Sequence, residues 1–125
     1  MNKVLIIGAG GVSSVTTQKM AMQKKTFNDV ILASRTIEKC KRIQKEIKNK
    51  FNENITIDEV DADYKDPVCK LIRKYKPDIV LNLALPYQDL TIMEACIEEN
   101  VHYLDTANYE SKDEAKFEYK LQWDL

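Results

Sequence analysis

Short aliphatic runs alternate with longer amphipathic stretches along the chain. Five runs have the length and composition of strands: residues 4–7, 30–33, 55–60, 78–85 and 101–105. The stretches between them carry apolar residues at helical spacing, as in the series Cys40, Ile43, Ile47 and Phe51 among lysines and glutamates. Strict alternation with short connections is typical of a parallel sheet covered by helices on both faces. The sequence therefore predicts an α/β fold, a Rossmann-type doubly wound parallel sheet in three layers with about five to six strands.

Composition narrows the functional classes. The chain has 125 residues, 44% hydrophobic and 31% charged, which fits one globular domain. Its net charge of -1 gives no long-range attraction to nucleic acid or to an anionic membrane, so neither is an expected partner. The cysteines lack zinc or disulfide spacing, and we expect all three to pack in the core: Cys40, Cys69 and Cys96.

The two ends of the sequence suggest its setting. The first aliphatic run is too short to span a membrane and has no cleavage pattern of a signal peptide, so we expect a cytoplasmic protein. Near the other end, Ser111 and Glu114 have capping-box spacing and predict a helix that reaches Leu125 without a stop signal. We therefore expect residues 1–125 to be one domain of a longer, two-domain enzyme.

All three glycines of the chain lie within four consecutive positions. The segment Gly8-Ala9-Gly10-Gly11-Val12-Ser13 follows the first predicted strand, opens the first predicted helix, and matches G-x-G-x-x-G except at Ser13. In this context the first glycine permits a tight turn, and the second lets the backbone approach a diphosphate at the helix N-terminus. A dinucleotide-binding loop is thus the predicted function of this segment. The alternative is a tight turn that binds no ligand.

The end of the second predicted strand indicates which dinucleotide is bound. An NAD site has a carboxylate there for the ribose 2′-hydroxyl, whereas this chain has Ser34, Arg35 and Thr36. A serine hydroxyl and a guanidinium can instead bind a 2′-phosphate, and the arginine can stack on adenine. The sequence therefore predicts NADP (NADPH) as the cofactor, with a solvated Arg35 as the alternative.

The other strand ends carry further polar residues. Asp61-Ala62-Asp63 is expected near the adenine, with a solvated pair of loop carboxylates as the alternative. Asn82, inside an apolar strand, needs a hydrogen-bond partner, for which a cofactor ribose and the neighbouring loop are equal candidates. Residues 105–109 are polar and face either the nicotinamide end of the cleft or solvent.

Two predictions concern packing rather than ligands. The first predicted helix is expected to present Val12, Val15 and Met22 as its apolar side. His102, the one histidine of the sequence, is expected to be a packed strand residue. We identify no catalytic residue, no Ser-His-Asp arrangement and no metal site in the sequence.

Five segments together resemble a known family. VLIIGAGGVS, ILASRT, DADYKD, KPDIVLNLALPYQDLTIMEAC and VHYLDTANYE, in this order, are similar to the N-terminal domain of the saccharopine dehydrogenase-like family, and within it to the carboxynorspermidine dehydrogenases. The resemblance implies an NADP-dependent oxidoreductase of polyamine biosynthesis. Its reaction would reduce the imine of aspartate semialdehyde and a diamine to carboxynorspermidine or carboxyspermidine.

The resemblance also implies residue roles and partners. The diphosphate would lie on Gly8, Gly10, Gly11 and Val12, the 2′-phosphate on Ser34, Arg35 and Thr36, the adenine near Asp61, and the nicotinamide ribose beside Asn82, Ala84, Leu85 and Pro86. A second domain would supply most of the substrate pocket and a homodimer interface, so this domain alone would bind nucleotide without turnover. The alternatives are a saccharopine dehydrogenase of lysine metabolism and a non-catalytic nucleotide-binding module.

Overall fold

The structure is a computed structural model that describes residues 2–106. Strands and helices alternate as predicted: β1 Lys3–Ile7, α1 Gly11–Met22, β2 Asp29–Ser34, α2 Ile37–Phe51, β3 Thr56–Glu59, α3 Lys65–Tyr75, β4 Ile79–Asn82, a 3-10 turn Pro86–Gln88, α4 Asp89–Glu98 and β5 His102–Asp105. The predicted final helix and residues 107–109 lie outside the described residues.

The five strands form one parallel sheet in the order β3-β2-β1-β4-β5. This is the strand order of dinucleotide-binding folds, in which the order reverses beside the first strand. Here β1 pairs with β2 on one side, with Ile7 opposite Ala33, and with β4 on the other, with Ile7 opposite Asn82. The predicted Rossmann-type sheet is confirmed, and ligands of such sheets bind outside the carboxyl ends of the central strands.

Helices cover both faces of the sheet and give it three layers. On one face, Leu5 and Ile7 of β1 pack in a buried cluster with residues of α3 and α4. On the other face, Val4 and Ile6 pack in a second cluster with residues of α1 and α2. Because successive strand side chains point to opposite faces, the continuous aliphatic run of β1 contributes side chains to both clusters.

The prediction for α1 is wrong about its buried face. Ser13 and Thr17 are fully buried and Ala21 is 3% exposed, so small side chains face the sheet. The predicted apolar side is exposed instead, at 65%, 56% and 51% for Val12, Val15 and Met22. Small residues let a helix backbone come close to the strands, and among the large side chains of α1, Met20 is partly buried against the same core cluster.

Two other packing predictions have opposite outcomes. All three cysteines are buried, as predicted, and burial raises the pKa of the Cys40 thiol to about 11. His102 is exposed rather than packed. It begins β5, which pairs with β4 alone within the described residues, and the side chains of such an outer strand are less covered than those of β1.

The small face of α1 makes the helix sensitive to added volume. We expect Ala21→Leu to lower the free energy of unfolding by about 1–3 kcal/mol, because a buried position cannot accept the larger side chain without strain. Met22→Leu, at the neighbouring exposed position, should change it by less than about 0.5 kcal/mol. Urea unfolding of both variants tests this, and equal effects would contradict the packing described for α1.

Candidate functional site

A cavity opens at the carboxyl ends of β1, β2 and β4, where the strand order reverses. Seven of the residues predicted to bind cofactor line it: Gly8, Gly10, Ser34, Arg35, Thr36, Ala84 and Leu85. Gly11 lines an adjoining cavity that shares Gly10 and Lys39 with the first. The structure therefore brings together three predicted segments that are far apart in the sequence.

Gly8 makes the turn out of β1 possible. Its φ is +113°, a conformation that L side chains rarely adopt. A Cβ atom built on Gly8 would lie 2.6 Å from the carbonyl carbon of Leu83 and 2.7 Å from the amide nitrogen of Ala84. The loop after β1 thus packs directly on the backbone of the loop after β4, and only glycine fits at this contact.

Gly10 and Gly11 face open space instead. A Cβ atom on either would meet no atom within 4 Å. The carbonyl of Gly10 accepts the N–H of Ser14 at 2.9 Å, and no side chain caps α1. The first N–H groups of α1 therefore have no acceptor within the helix, and they point into space that a ligand can fill. This donor set, at the positive end of a helix dipole, fits a diphosphate.

The segment after β2 adds two cationic side chains. The Ser34 hydroxyl accepts the N–H of Thr36 at 3.1 Å and shapes the turn that leads into α2. Arg35 is more than half exposed, and Lys39, in the first turns of α2, also lines the cavity. A guanidinium and an ammonium at this position can bind a phosphate on the ribose.

A carboxylate from the next loop reaches the same region. Asp63 lies with its Oδ2 3.5 Å from Nη1 of Arg35, and its Oδ1 accepts a hydrogen bond from Nε2 of Gln88 at 2.7 Å. Asp61 accepts the N–H of Asp63 at 3.1 Å and is absent from the cavity lining, where Ala62 and Val60 are found. Asp61 thus shapes the loop, and Asp63 links the loops that follow β2, β3 and β4.

Asn82 belongs to a buried polar network. Its Nδ2 donates to Oδ1 of Asp89 at 2.7 Å and to the hydroxyl of Tyr103 at 3.0 Å, while its Oδ1 accepts the N–H of Ala84 at 2.9 Å. The Tyr103 hydroxyl donates to Asp105 at 2.7 Å. Among the described residues this amide is thus hydrogen-bonded to the neighbouring loop at Ala84, to the first residue of α4 and to β5.

Asp89 is the buried acid of this network. It is 1% exposed at the start of α4, and its Oδ2 has no hydrogen-bond partner within the described part of the chain. Burial, with the nearby charge of Asp105, raises the pKa of Asp89 to about 7 despite the hydrogen bond from Asn82. Burial likewise raises the pKa of Tyr103.

The remaining predicted residues lie on α1 and in the turn before α4. Val12 is exposed on α1, and Pro86 begins the 3-10 turn before α4. Sequence reasoning missed Lys39, Gln88 and Asp89. Lys39 could have been found from its place one helical turn after Thr36, and Asp89 from its acid side chain at the head of an apolar helix.

Comparison with known proteins decides the family. A family model described as "Saccharopine dehydrogenase NADP binding domain" matches residues 4–125. The chain belongs to this family. The predicted family is therefore confirmed, and the chain is an NADP-binding domain of the saccharopine dehydrogenase type.

Curated relatives of this NADP-binding domain include dehydrogenases and synthases. It is 47% identical over 123 residues to carboxyaminopropylagmatine dehydrogenase of Synechocystis sp. (strain ATCC 27184 / PCC 6803 / Kazusa), covering 98% of this chain and 30% of the relative. It is 40% identical over 109 residues to carboxynorspermidine synthase of Vibrio cholerae serotype O1, covering 83% of this chain and 26% of the relative. The chain thus spans less than a third of the length of these relatives.

Solved structures share the fold. Apo saccharopine dehydrogenase (L-Glu forming) of Saccharomyces cerevisiae superposes with a TM-score of 0.71 at 17% identity, over 90% of this chain and 23% of that chain. A UDP-glucose-4-epimerase of Stenotrophomonas maltophila, with bound NAD, superposes with a TM-score of 0.69 at 13% identity, over 86% of this chain and 37% of that one.

Two further observations concern residues 2–106. In this range no helix is long and apolar enough to cross a membrane. Nor do three or more histidine, cysteine, aspartate or glutamate side chains meet there in a group that could hold a metal ion.

The glycines are expected to respond differently to the same substitution. Gly8→Ala should lower the free energy of unfolding by about 3 kcal/mol or more, because it combines a positive φ with a backbone clash. Gly10→Ala places its methyl group in open space, so stability should change by less than about 1 kcal/mol while NADPH binding weakens. Thermal unfolding and NADPH titration test both variants, and equal loss of stability would contradict the geometry of the turn.

Asp89 should make stability depend on pH. Its pKa is about 7 in the folded protein against an ordinary value of 3.8, so the folded state keeps a proton that the unfolded state has lost. The free energy of unfolding therefore falls as pH rises from about 4 to 7, by up to about 4 kcal/mol.

Asp89→Asn removes this dependence because the amide stays neutral. We expect the variant to be more stable than the wild type at pH 8 and the difference to close toward pH 4.5. Urea unfolding at both pH values measures the difference, and one that does not change with pH would show that Asp89 is not the group responsible.

Proposed function

We propose that this chain is the NADPH-binding part of an oxidoreductase that joins an amino-acid semialdehyde to an amine and reduces the resulting imine. The observation that carries the proposal is the cavity at the carboxyl ends of β1, β2 and β4. There the uncapped N-terminus of α1 lies beside Gly10, Arg35 directly follows β2 where NAD-binding domains place a carboxylate, and Lys39 of α2 lines the same cavity.

The preference for NADPH follows from the charges around Arg35. A 2′-phosphate would draw its guanidinium away from Asp63, to which it is held by one ion pair of 3.5 Å at the surface. Such exposed pairs contribute only about 0–1 kcal/mol, whereas hydrogen bonds between ionised groups contribute more. NADH has no 2′-phosphate to replace the ion pair between Arg35 and Asp63, so Arg35 favours NADPH.

The chain's own residues bind and orient, and NADPH, when bound, supplies the hydride. Backbone N–H groups of α1 would hold the diphosphate, and Ser34, Arg35 and Thr36 the 2′-phosphate. The loop that contains Ala84 and Leu85 would form the wall beside the nicotinamide ribose. These residues fix where the reactive face of the cofactor meets a substrate held by the rest of the enzyme.

The names of the relatives support a proposal for the substrate class. Carboxyaminopropylagmatine contains a carboxyaminopropyl group on an amine, which is the group that aspartate semialdehyde yields when its imine is reduced. Carboxynorspermidine is the corresponding product of a diamine. We propose aspartate semialdehyde as the carbonyl substrate, and a diamine or agmatine as the amine, in polyamine biosynthesis.

The proposal includes the setting predicted from the sequence. The enzyme would be cytoplasmic, would act on small molecules rather than nucleic acid, and would form a homodimer through a second domain. The saccharopine dehydrogenase activity of lysine metabolism remains the alternative because it would use the same cofactor cavity.

Arg35→Ala tests the cofactor assignment. We expect NADPH affinity to fall about tenfold to a hundredfold, the range for losing a charge-assisted hydrogen bond, and NADH affinity to change by less than about twofold. Arg73→Ala is the matched control, because Arg73 pairs with Glu99 outside the cavity. This variant should bind both nucleotides with the affinity of the wild type. Isothermal calorimetry measures all three proteins, and an equal loss of NADPH and NADH binding by Arg35→Ala would contradict the assignment.

A further inference from the structure

The polar network beneath the loop after β4 ends on the backbone of the cofactor cavity. Asn82 has one amide orientation that satisfies every contact: its Nδ2 faces two acceptors, Asp89 and Tyr103, and its Oδ1 faces one donor, the N–H of Ala84. Ala84 and the adjoining Leu83 line the cavity. The network thus fixes a peptide that forms part of the cavity wall.

That peptide has no room to move toward β1. The backbone of Leu83 and Ala84 lies against Gly8, at a distance that would not admit a Cβ atom. The N–H of Leu83 also donates to the carbonyl of Ile7 at 2.8 Å. A change in the network can therefore move the wall only away from the glycine turn, which widens the cavity beside it.

Asp89 connects the network to a second part of the wall. It is the first residue of α4 and directly follows Gln88, whose side chain lines the cavity and donates to Asp63. A displacement of Asp89 therefore moves Gln88 as well as Asn82. Both contacts reach the cofactor cavity, although Asp89 itself is absent from its lining.

The groups around Asp89 do not balance a negative charge. Tyr103 and Asp105 face it from β5, and β4 contributes the neutral amide of Asn82. The helix α3 packs on α4 farther along, where Lys65 pairs with Glu98. Within the described residues no lysine or arginine forms an ion pair with Asp89, so an ionised Asp89 is a buried anion beside another carboxylate.

We propose that Asp89 and Asn82 are positioning residues of the NADPH site, and that they hold the Leu83–Ala84 peptide in its binding geometry when Asp89 is protonated. This inference rests on the proposed function, because it assigns these residues a role in binding that cofactor. A neutral acid keeps its hydrogen bond with Asn82 at no electrostatic cost. An ionised Asp89 lowers the cost of its buried charge by moving toward water, and this movement displaces Gln88 and the amide of Asn82.

The test compares the pH dependence of NADPH affinity in Asp89→Asn and in the wild type. The asparagine keeps an acceptor for Asn82 and stays neutral. We expect the wild-type Kd to rise about fivefold relative to that of the variant between pH 6 and pH 8.5, which corresponds to about 1 kcal/mol, with a midpoint near pH 7. The ratio of the two Kd values cancels the ionisation of the 2′-phosphate of NADPH itself.

Two more variants complete the experiment. Asp29→Asn removes an exposed carboxylate at the start of β2 and should follow the wild type at every pH. Asp89→Ala removes one of the two acceptors of the Asn82 Nδ2, leaving the Tyr103 hydroxyl, and should weaken NADPH binding about tenfold at pH 6, the equivalent of about 1.4 kcal/mol. Thermal unfolding of each variant shows whether it is folded, and if the alanine variant is not, the asparagine comparison decides.

The outcomes separate the two proposals. A wild type that binds NADPH with the same pH profile as Asp89→Asn would overturn the positioning role and leave the proposed function standing. Failure of the wild type to bind NADPH at any pH would overturn the proposed function, and the positioning role with it.

Discussion

The contact between Gly8 and the Leu83–Ala84 peptide is the constraint on which the rest of the site depends. It joins the turn after β1 to the loop after β4, at the place where the strand order of the sheet reverses. Because the backbones meet without a side chain between them, the N-terminus of α1 and the wall formed by the later loop stand at a fixed separation. The cavity is therefore a consequence of backbone packing, and the polar side chains refine it.

The buried network of Asn82 and Asp89 holds the Leu83–Ala84 peptide from the side opposite Gly8. Asn82 fixes the N–H of Ala84, and Asp89 in turn fixes the amide of Asn82. Among the residues that the structure describes, Oδ2 of Asp89 is a buried carboxyl oxygen without a hydrogen-bond partner, which is costly for a fold of this size and points to a role beyond stability. The wall is thus held by a glycine on one side and by a titratable group on the other.

The fold and the glycine turn could be predicted from sequence because each depends on local signals: strand-length aliphatic runs, helical periodicity and clustered glycines. The buried face of α1 could not, because the helix approaches the sheet through Ser13, Thr17 and Ala21, and hydrophobicity alone points to the exposed Val12, Val15 and Met22. The links from Arg35 to Asp63 and from Asp63 to Gln88 were missed for another reason. They join loops that are far apart in the sequence and meet only once the sheet has formed.

The most direct test of the account is amide hydrogen exchange of the chain with and without saturating NADPH. We predict that exchange slows at residues 11–13, whose N–H groups in the first turn of α1 have no intrahelical partner, because the diphosphate would occupy them. NADPH binding that leaves the exchange of these amides unchanged would contradict it, and so would an absence of binding.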